Sequence, residues 1–414
     1  MVAEEIGPSY PSRPRAGSLY DVPTLLGISM ANDGEVEILV GCVAERAAGE
    51  RRVGIAPAAI PAMLKAGARV GIEPGAGRSA GFTDEAYTDR GAELIDRGTL
   101  LSSAAVLCQI HPIHLLDEGA APAAVIGLLD PLSRPEDIRR LAEARVTAYS
   151  LEMMPRITRA QSMDVLSSQA NLAGYKAVVD AAAMFDQAMP MMMTAAGTVP
   201  AAKAFIMGVG VAGLQAIATA RRMGAQVTAT DVRPATKEQV ASLGAKFVAV
   251  EDEEFKQAQT AAGYAKPMSA EYQKKQAELV ASHIKNQDIV ITTALIPGRP
   301  APRLITRAMV ESMKSGAIIV DLAAERGGNC ELTKPGEVIE HNGVRIFGPL
   351  NLAGEIPVNA SSLYARNLLA FLDIMIDKTE KVLKIDWDDE IVKGTLVAKD
   401  GKIVHPSLQP QGAA

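Results

Sequence analysis

From Val36 onward the chain alternates short apolar runs with segments whose apolar residues recur at helical spacing. Apolar runs predict strands at Val36–Glu45, Ala68–Gly77, Ala104–Ile110, Ala123–Leu129 and Thr147–Tyr149. Between them, Ala58–Ala66 (stopped by Gly67), Asp84–Arg90 and Pro135–Ala144 read as helices. A second series opens with a long alanine-rich helix over Ser167–Asp186. It continues with strands at Ala204–Met207, Ala225–Asp231, Lys246–Val250, Asp288–Thr293, Ala317–Leu322 and Val344–Phe347. Past Ser361 the pattern is helical, and Val382–His405 reads as a meander of short strands turning at Asp400-Gly401. Strands alternating with helices predict an α/β protein of two doubly wound domains with parallel sheets and a cleft between them. The expected division is a flexible extension over 1–35, a first domain over 36–165 plus 355–414, and a second over 166–354.

Composition narrows the class. The 414 residues are 48% hydrophobic but only 4% aromatic, so the core is built from aliphatic residues, as suits an α/β protein better than a β-sandwich. Lys and Arg number 42 against 48 Asp and Glu, a net charge of −6, which argues against a nucleic-acid surface. Three scattered cysteines (Cys42, Cys108, Cys330) form neither a disulfide framework nor a four-thiolate metal site, so no metal is expected and the compartment is expected to be reducing. Between Gln187 and Ala220 the only charge is Lys203, but Pro190, Pro200 and the three glycines of Ala204–Ala220 interrupt what a spanning helix of roughly 20 residues would need. The N-terminus lacks a signal-peptide core, and the chain is expected to be soluble.

The strongest local motif is Gly208-Val209-Gly210-Val211-Ala212-Gly213. It follows the apolar strand Ala204–Met207 and opens the helix Leu214–Met223; the next strand ends at Asp231, 18 residues beyond Gly213. This is the dinucleotide-binding arrangement of a Rossmann-like unit. One glycine makes the turn, one lets backbone approach a pyrophosphate, and one packs helix on strand, while the helix N-terminus faces the phosphates. Asp231 can accept the adenosine ribose hydroxyls, which favours NAD; Arg233 leaves a 2′-phosphate, and hence NADP, in play.

Upstream, Pro155–Gln169 is dense in polar groups and joins the two sheets. Arg156, Gln161, Asp164 and Ser167 offer a charged donor, an amide, a carboxylate and a hydroxyl suited to gripping a nicotinamide carboxamide and ribose; Asp164 and Ser167 could equally just cap the following helix. In Thr260–Ser269, Tyr264 beside Gly263 could close over a nucleotide or be an ordinary connector.

Taken together, MMPRITRAQSMDVLSSQANLAGYKAV, MPMMMTAAGTVPAAKAFIMGVGVAGLQAIATARRMGAQVTATDVRPATKEQVASLGAKF, AGYAKPMS, TTALIPGRPAP and VDLAAERGGNCE closely resemble the NAD(H)-binding domain I of proton-translocating NAD(P) transhydrogenases. The likeness covers about residues 36–414, and the wider fold resembles alanine dehydrogenase. It implies a homodimer that holds NAD(H) and exchanges hydride with NADP(H) on a separate domain III, while a membrane domain II couples the exchange to proton movement. It also implies a separately encoded subunit, cytoplasmic and peripheral on the cytoplasmic face of the membrane. By the same resemblance, Arg156 orients the nicotinamide, Asp164 and Ser167 hold its carboxamide region, and Gln161 reaches toward the partner's NADP(H). Cofactor contacts carry over to Gly208, Gly210, Val211, Gly213, Asp231, Val232, Arg233, Gly263, Tyr264, Ala294 and Leu295, with Arg233 on the adenosine side.

Two stretches depart from these patterns. Alanine dehydrogenases use a lysine and a histidine in the first domain; here Val106–Pro112 has no lysine, and Gly127–Asp130 has no histidine. His111 and His114 are expected to be solvated. Gly348–Asn351 matches loosely, which leaves the dimer contact in the tail open. The alternatives are an amino-acid dehydrogenase of the alanine dehydrogenase type and a non-catalytic NAD sensor.

Overall fold

The computed structural model describes residues 29–30, 36–258, 268–296 and 298–409. Six strands lead: β1 (Val36–Cys42), β2 (Ala68–Ile72), β3 (Glu93–Leu94), β4 (Val106–Cys108), β5 (Ala124–Gly127) and β6 (Thr147–Ser150). They pair in parallel, with β1 central between β2 and β4. Two-sided burial along β1 explains the apolar run Ile38–Val43. Ile38, Val40 and Cys42 pack into one cluster and Leu39 and Val43 into another, so both faces of the sheet are covered. Within the expected extension, Ser29–Met30 pair antiparallel with β1, while residues 1–28 and 31–35 lie outside the described residues.

Helix α1 (Val165–Met184) carries the chain to a second sheet. It runs through β7 (Lys203–Met207), α2 (Val211–Arg222), β8 (Gln226–Thr230), β9 (Lys246–Phe247), α3 (Ala270–Ile284), β10 (Ile289–Thr292), β11 (Ile318–Asp321), β12 (Val338–His341) and β13 (Val344–Phe347). The order is β9-β8-β7-β10-β11-β13-β12, parallel except for β12. The same two-sided burial recurs: Ala204 and Ile206 of β7 join one cluster, Phe205 and Met207 the other. The pattern reading missed β12. Its signal was Asn342-Gly343, both with positive φ (51° and 76°), the turn that closes a two-residue hairpin.

Helix α4 begins at Pro357, ahead of the start expected past Ser361, and runs to Leu372 (Pro357–Leu372), with proline in its first turn, where a missing N–H costs nothing. The tail then departs from an all-strand meander. Glu390–Thr395 is a helix because the Asp389 carboxylate accepts the Ile391 and Val392 amides at 2.7 and 3.4 Å. Strands β14 (Leu396–Lys399) and β15 (Lys402–Ile403) follow, turning at Asp400-Gly401, and β14 pairs antiparallel with β6. The first sheet is therefore ordered β15-β14-β6-β5-β4-β1-β2-β3.

The carboxyl ends of the two sheets face each other across a cleft. Arg326, after β11, reaches Asp130, after β5, at 2.6 Å and also bonds Ser133. Asn351, after β13, donates to Glu50, in the loop after β1, at 3.1 Å. No described helix is long and apolar enough to cross a membrane.

Candidate functional site

Strand β7 is the switch point of the second sheet. Its last residue, Met207, is in register with Thr230 of β8 on one side and Thr292 of β10 on the other. A crevice opens beyond such a point, where connections leave in opposite directions. Gly208 turns the chain there with φ +101°, its amide donating to Thr230 O at 2.9 Å. A Cβ on Gly208 would stand 2.6 Å from Thr293 Oγ1, and one on Gly213 only 1.9 Å from Gly208 O. The turn and the start of α2 thus interlock by backbone contact that no side chain permits. At Gly210 a Cβ would meet nothing within 4 Å: this residue faces open space. Helix α2 starts without a side-chain cap and without an acidic residue in its first turn. Uncapped amides with a positive dipole end, beside an open glycine, suit a diphosphate.

Asp231 lies one residue past β8 and closes the far side of the turn. Its carboxylate accepts Val209 N at 2.8 Å, Arg233 N and Nε at 2.9 Å each, and Arg233 Nη2 at 2.8 Å. Arg233 also donates to Val209 O at 3.2 Å, and the Asp231 hydrogen bonds raise its pKa. The two residues that argued for NAD and for NADP are therefore one ion pair, its guanidinium engaged by carboxylate and carbonyl. Val211 and Val232 are exposed beside it, giving the rim an apolar surface. Across the turn, Thr293 Oγ1 donates to Gly208 O at 3.0 Å, which sets Ala294 against the fingerprint; Leu295 is 53% exposed at the mouth. Gly263 and Tyr264, and with them the expected mobile loop, lie outside the described residues.

The polar segment before α1 divides into three kinds of residue. Arg156 and Gln161 are exposed on the loop that leaves the carboxyl end of the first sheet. Asp164 is the N-cap of α1: its carboxylate accepts Ser167 N at 2.9 Å and Ser167 Oγ at 2.6 Å. Both stand about one to two turns before the place where α1 meets α2, at the Asn171–Gln215 hydrogen bond of 3.4 Å. Ser168 and Gln169 point the other way, bonding Asn367 Oδ1 (2.7 Å) and Ala360 O (3.1 Å) of α4. Part of the segment's polar density therefore braces two helices, and part is exposed.

The first sheet contributes a cluster that pattern reading passed over. Arg52 grips Glu50 by two bonds (2.8 and 2.6 Å) and Gln169 by a third (2.9 Å), all buried. His111 is not merely solvated: its Nε2 sits 3.0 Å from Glu50 Oε2, while His114 is partly exposed near Asp117. Glu45 accepts Ile110 N at 2.5 Å and His111 N at 3.2 Å, and burial pushes its carboxyl up to about 7. The signal was the charged run Glu45–Arg52, set within an otherwise apolar region. Within the lysine-free stretch Val106–Pro112, Gln109 is buried, its backbone carbonyl accepting Tyr364 Oη at 2.7 Å.

Comparison with known proteins agrees with this architecture. Residues 41–173 match the family described as alanine dehydrogenase/PNT, N-terminal domain, and residues 177–406 its C-terminal domain. An NAD(P) transhydrogenase subunit alpha polypeptide of Rhodospirillum rubrum is 51% identical over 380 residues, covering 89% of this chain and 98% of that one. A transhydrogenase crystal structure from Sinorhizobium meliloti superposes with a TM-score of 0.81 at 52% identity, over 88% of this chain and 100% of that one. An L-alanine dehydrogenase structure, at 23% identity and TM-score 0.74 over 90% of this chain and 98% of that one, shares the fold. The chain belongs to the alanine dehydrogenase/PNT family and, within it, to the NAD(P) transhydrogenase alpha subunits.

Proposed function

We propose that this chain is the NAD(H)-binding component of a proton-translocating NAD(P) transhydrogenase. It exchanges hydride with NADP(H) held on a partner domain III, and a membrane domain II couples that exchange to proton movement. The observation that carries the reading is the Gly208–Gly213 turn at the switch point, with Gly210 facing open space and Asp231 closing its edge. The working division is a cofactor half over 166–354 and a second half from 36–165 and 355–414, with the cleft between.

When bound, the two nicotinamides supply the hydride chemistry; the protein needs no general acid or base, only alignment and exclusion of water. Gly208–Gly213 and the start of α2 hold the diphosphate. Asp231 takes the adenosine ribose, with its Arg233 partner, Val211 and Val232 on the adenosine side. Ala294 and Leu295 border the nicotinamide half. Arg156 orients the ring and Gln161 reaches toward the partner's nucleotide, while Asp164 and Ser167, held rigid by their mutual hydrogen bond, present the carboxamide-binding face. An exposed hairpin, Met192–Thr194 with Gly197–Val199, carries Met193 at 79% exposure and supports pairing with a second copy of the chain. A place on the cytoplasmic face of the membrane follows from docking on domain II.

The test mixes this chain with a transhydrogenase domain III and follows hydride transfer from NADH to an NADP+ analogue. Transfer well above that of either component alone is expected; none would overturn the reading. In the same assay Arg156→Ala is expected to slow the hydride step by about tenfold or more while weakening NADH binding less. An unchanged step would remove the positioning role.

A further inference from the structure

The stretch VDLAAERGGNCE (Val320–Glu331) is distinctive in the sequence, and the cofactor reading has no use for it. We infer that Asn329 within it is a positioning residue for hydride transfer, pinning the strand end Thr293–Ala294 that forms one wall of the site; the inference rests on the function proposed above. Asn329 is fully buried. Its Oδ1 accepts Ala294 N at 3.0 Å, and its Nδ2 donates to Ala294 O at 2.9 Å and to Pro302 O at 2.8 Å. One carboxamide therefore satisfies both backbone groups of Ala294, as a neighbouring strand would, just where the ladder between β10 and β11 has run out.

The pin is itself anchored. Asn329 O accepts Leu304 N at 2.8 Å and Ile305 N at 3.0 Å. Next to it, fully buried Asp321, the last residue of β11, accepts Cys330 N (2.9 Å), Thr333 Oγ1 (2.6 Å), Ala323 N (3.0 Å) and Thr292 Oγ1 (2.9 Å). Rigidity thus passes from the sheet through Asp321 and Asn329 to Ala294, and from Thr293 to the Gly208 carbonyl of the fingerprint. Beyond Ala294, Leu295 and Ile296 are exposed and give the strand end little packing of their own. Only asparagine has the acceptor and the two donors this geometry uses at this length. An aspartate keeps the acceptor but sets a carboxylate against two carbonyl oxygens.

The test uses Asn329→Asp and, as a milder second variant, Thr293→Val, with melting temperature and circular dichroism to verify folding. NADH affinity is read by fluorescence titration, the hydride step by single turnover with domain III, and local motion by hydrogen exchange across residues 293–296. Asn329→Asp is expected to leave the NADH dissociation constant within about threefold, slow the hydride step by about tenfold to a hundredfold, and speed exchange across 293–296. Thr293→Val is expected to show the same split at smaller size, and carries the test if Asn329→Asp does not fold. A folded variant with an unchanged hydride step overturns the inference. So does a loss of rate matched by an equal loss of affinity, since that is a structural role. If the wild-type chain transfers no hydride with domain III, the function proposed above fails instead, and unchanged exchange across 293–296 would then overturn the pin separately.

Discussion

Single side chains here serve two neighbours at once, and their substitution reads accordingly. Asp231 both holds the fingerprint amide of Val209 and pairs with Arg233. Asp231→Ala is expected to weaken NADH by about 1–3 kcal/mol, the scale of a charge-assisted hydrogen bond, measured by titration calorimetry. Unchanged affinity would mean the adenosine lies elsewhere. Glu45 gives a pH signature. Its carboxyl is raised from 4.5 to about 7 by burial, so between those values the folded state holds more protons than the unfolded one. Its contribution to stability therefore falls as pH rises across that window. The difference in urea-unfolding free energy between wild type and Glu45→Gln is expected to shift in that direction from pH 4.5 to 7 and level off above; a pH-independent difference would show that the group titrates normally. Of the candidate residues, Gly208, Gly213 and Asp231 were legible from spacing because their roles are local. Glu50, Arg52 and Asn329 were not, because their partners are Gln169, His111, Asn351 and Ala294, far away in the chain.

At the scale of elements, alternation located nearly every buried strand, since both faces of each sheet are covered and the runs stay apolar. It failed where elements are short or held by one side chain. Within the expected meander, β-branched Ile391 and Val392 favour a strand, but the Asp389 cap makes Glu390–Thr395 a helix. Asp389 also bonds Arg159 at 2.7 Å, tying the tail helix to the loop before α1. Asp389→Ala is expected to destabilise the chain by about 0.5–2 kcal/mol in thermal unfolding, and Asp389→Asn to recover most of the cap. Equal losses in both variants would place the effect in the Arg159 pair rather than in the cap.

In the whole molecule, two carboxyl-end surfaces meet across a cleft joined by α1, by the passage into α4, and by the Arg326–Asp130 bridge. That bridge is about one-third exposed on both sides, so Arg326→Ala is expected to cost less than about 1 kcal/mol in unfolding. Its effect is expected instead in geometry: a larger radius of gyration by small-angle scattering and faster NADH dissociation by stopped flow. Unchanged values for both would show that the bridge does not hold the cleft.

What the sequence determined by itself was whatever depends on near neighbours: strand and helix periodicity, the glycine turn before α2, and the acid at the end of β8. The tertiary structure decided the rest, because it depends on which ends meet. It made Arg233 the ion-pair partner of Asp231, and turned Ser168 and Gln169 toward α4. It also set Asn329 beside Ala294, where a buried carboxamide can replace a missing strand. Such pairings arise only once the two sheets have folded and faced each other, since nothing in local spacing favours one distant partner over another.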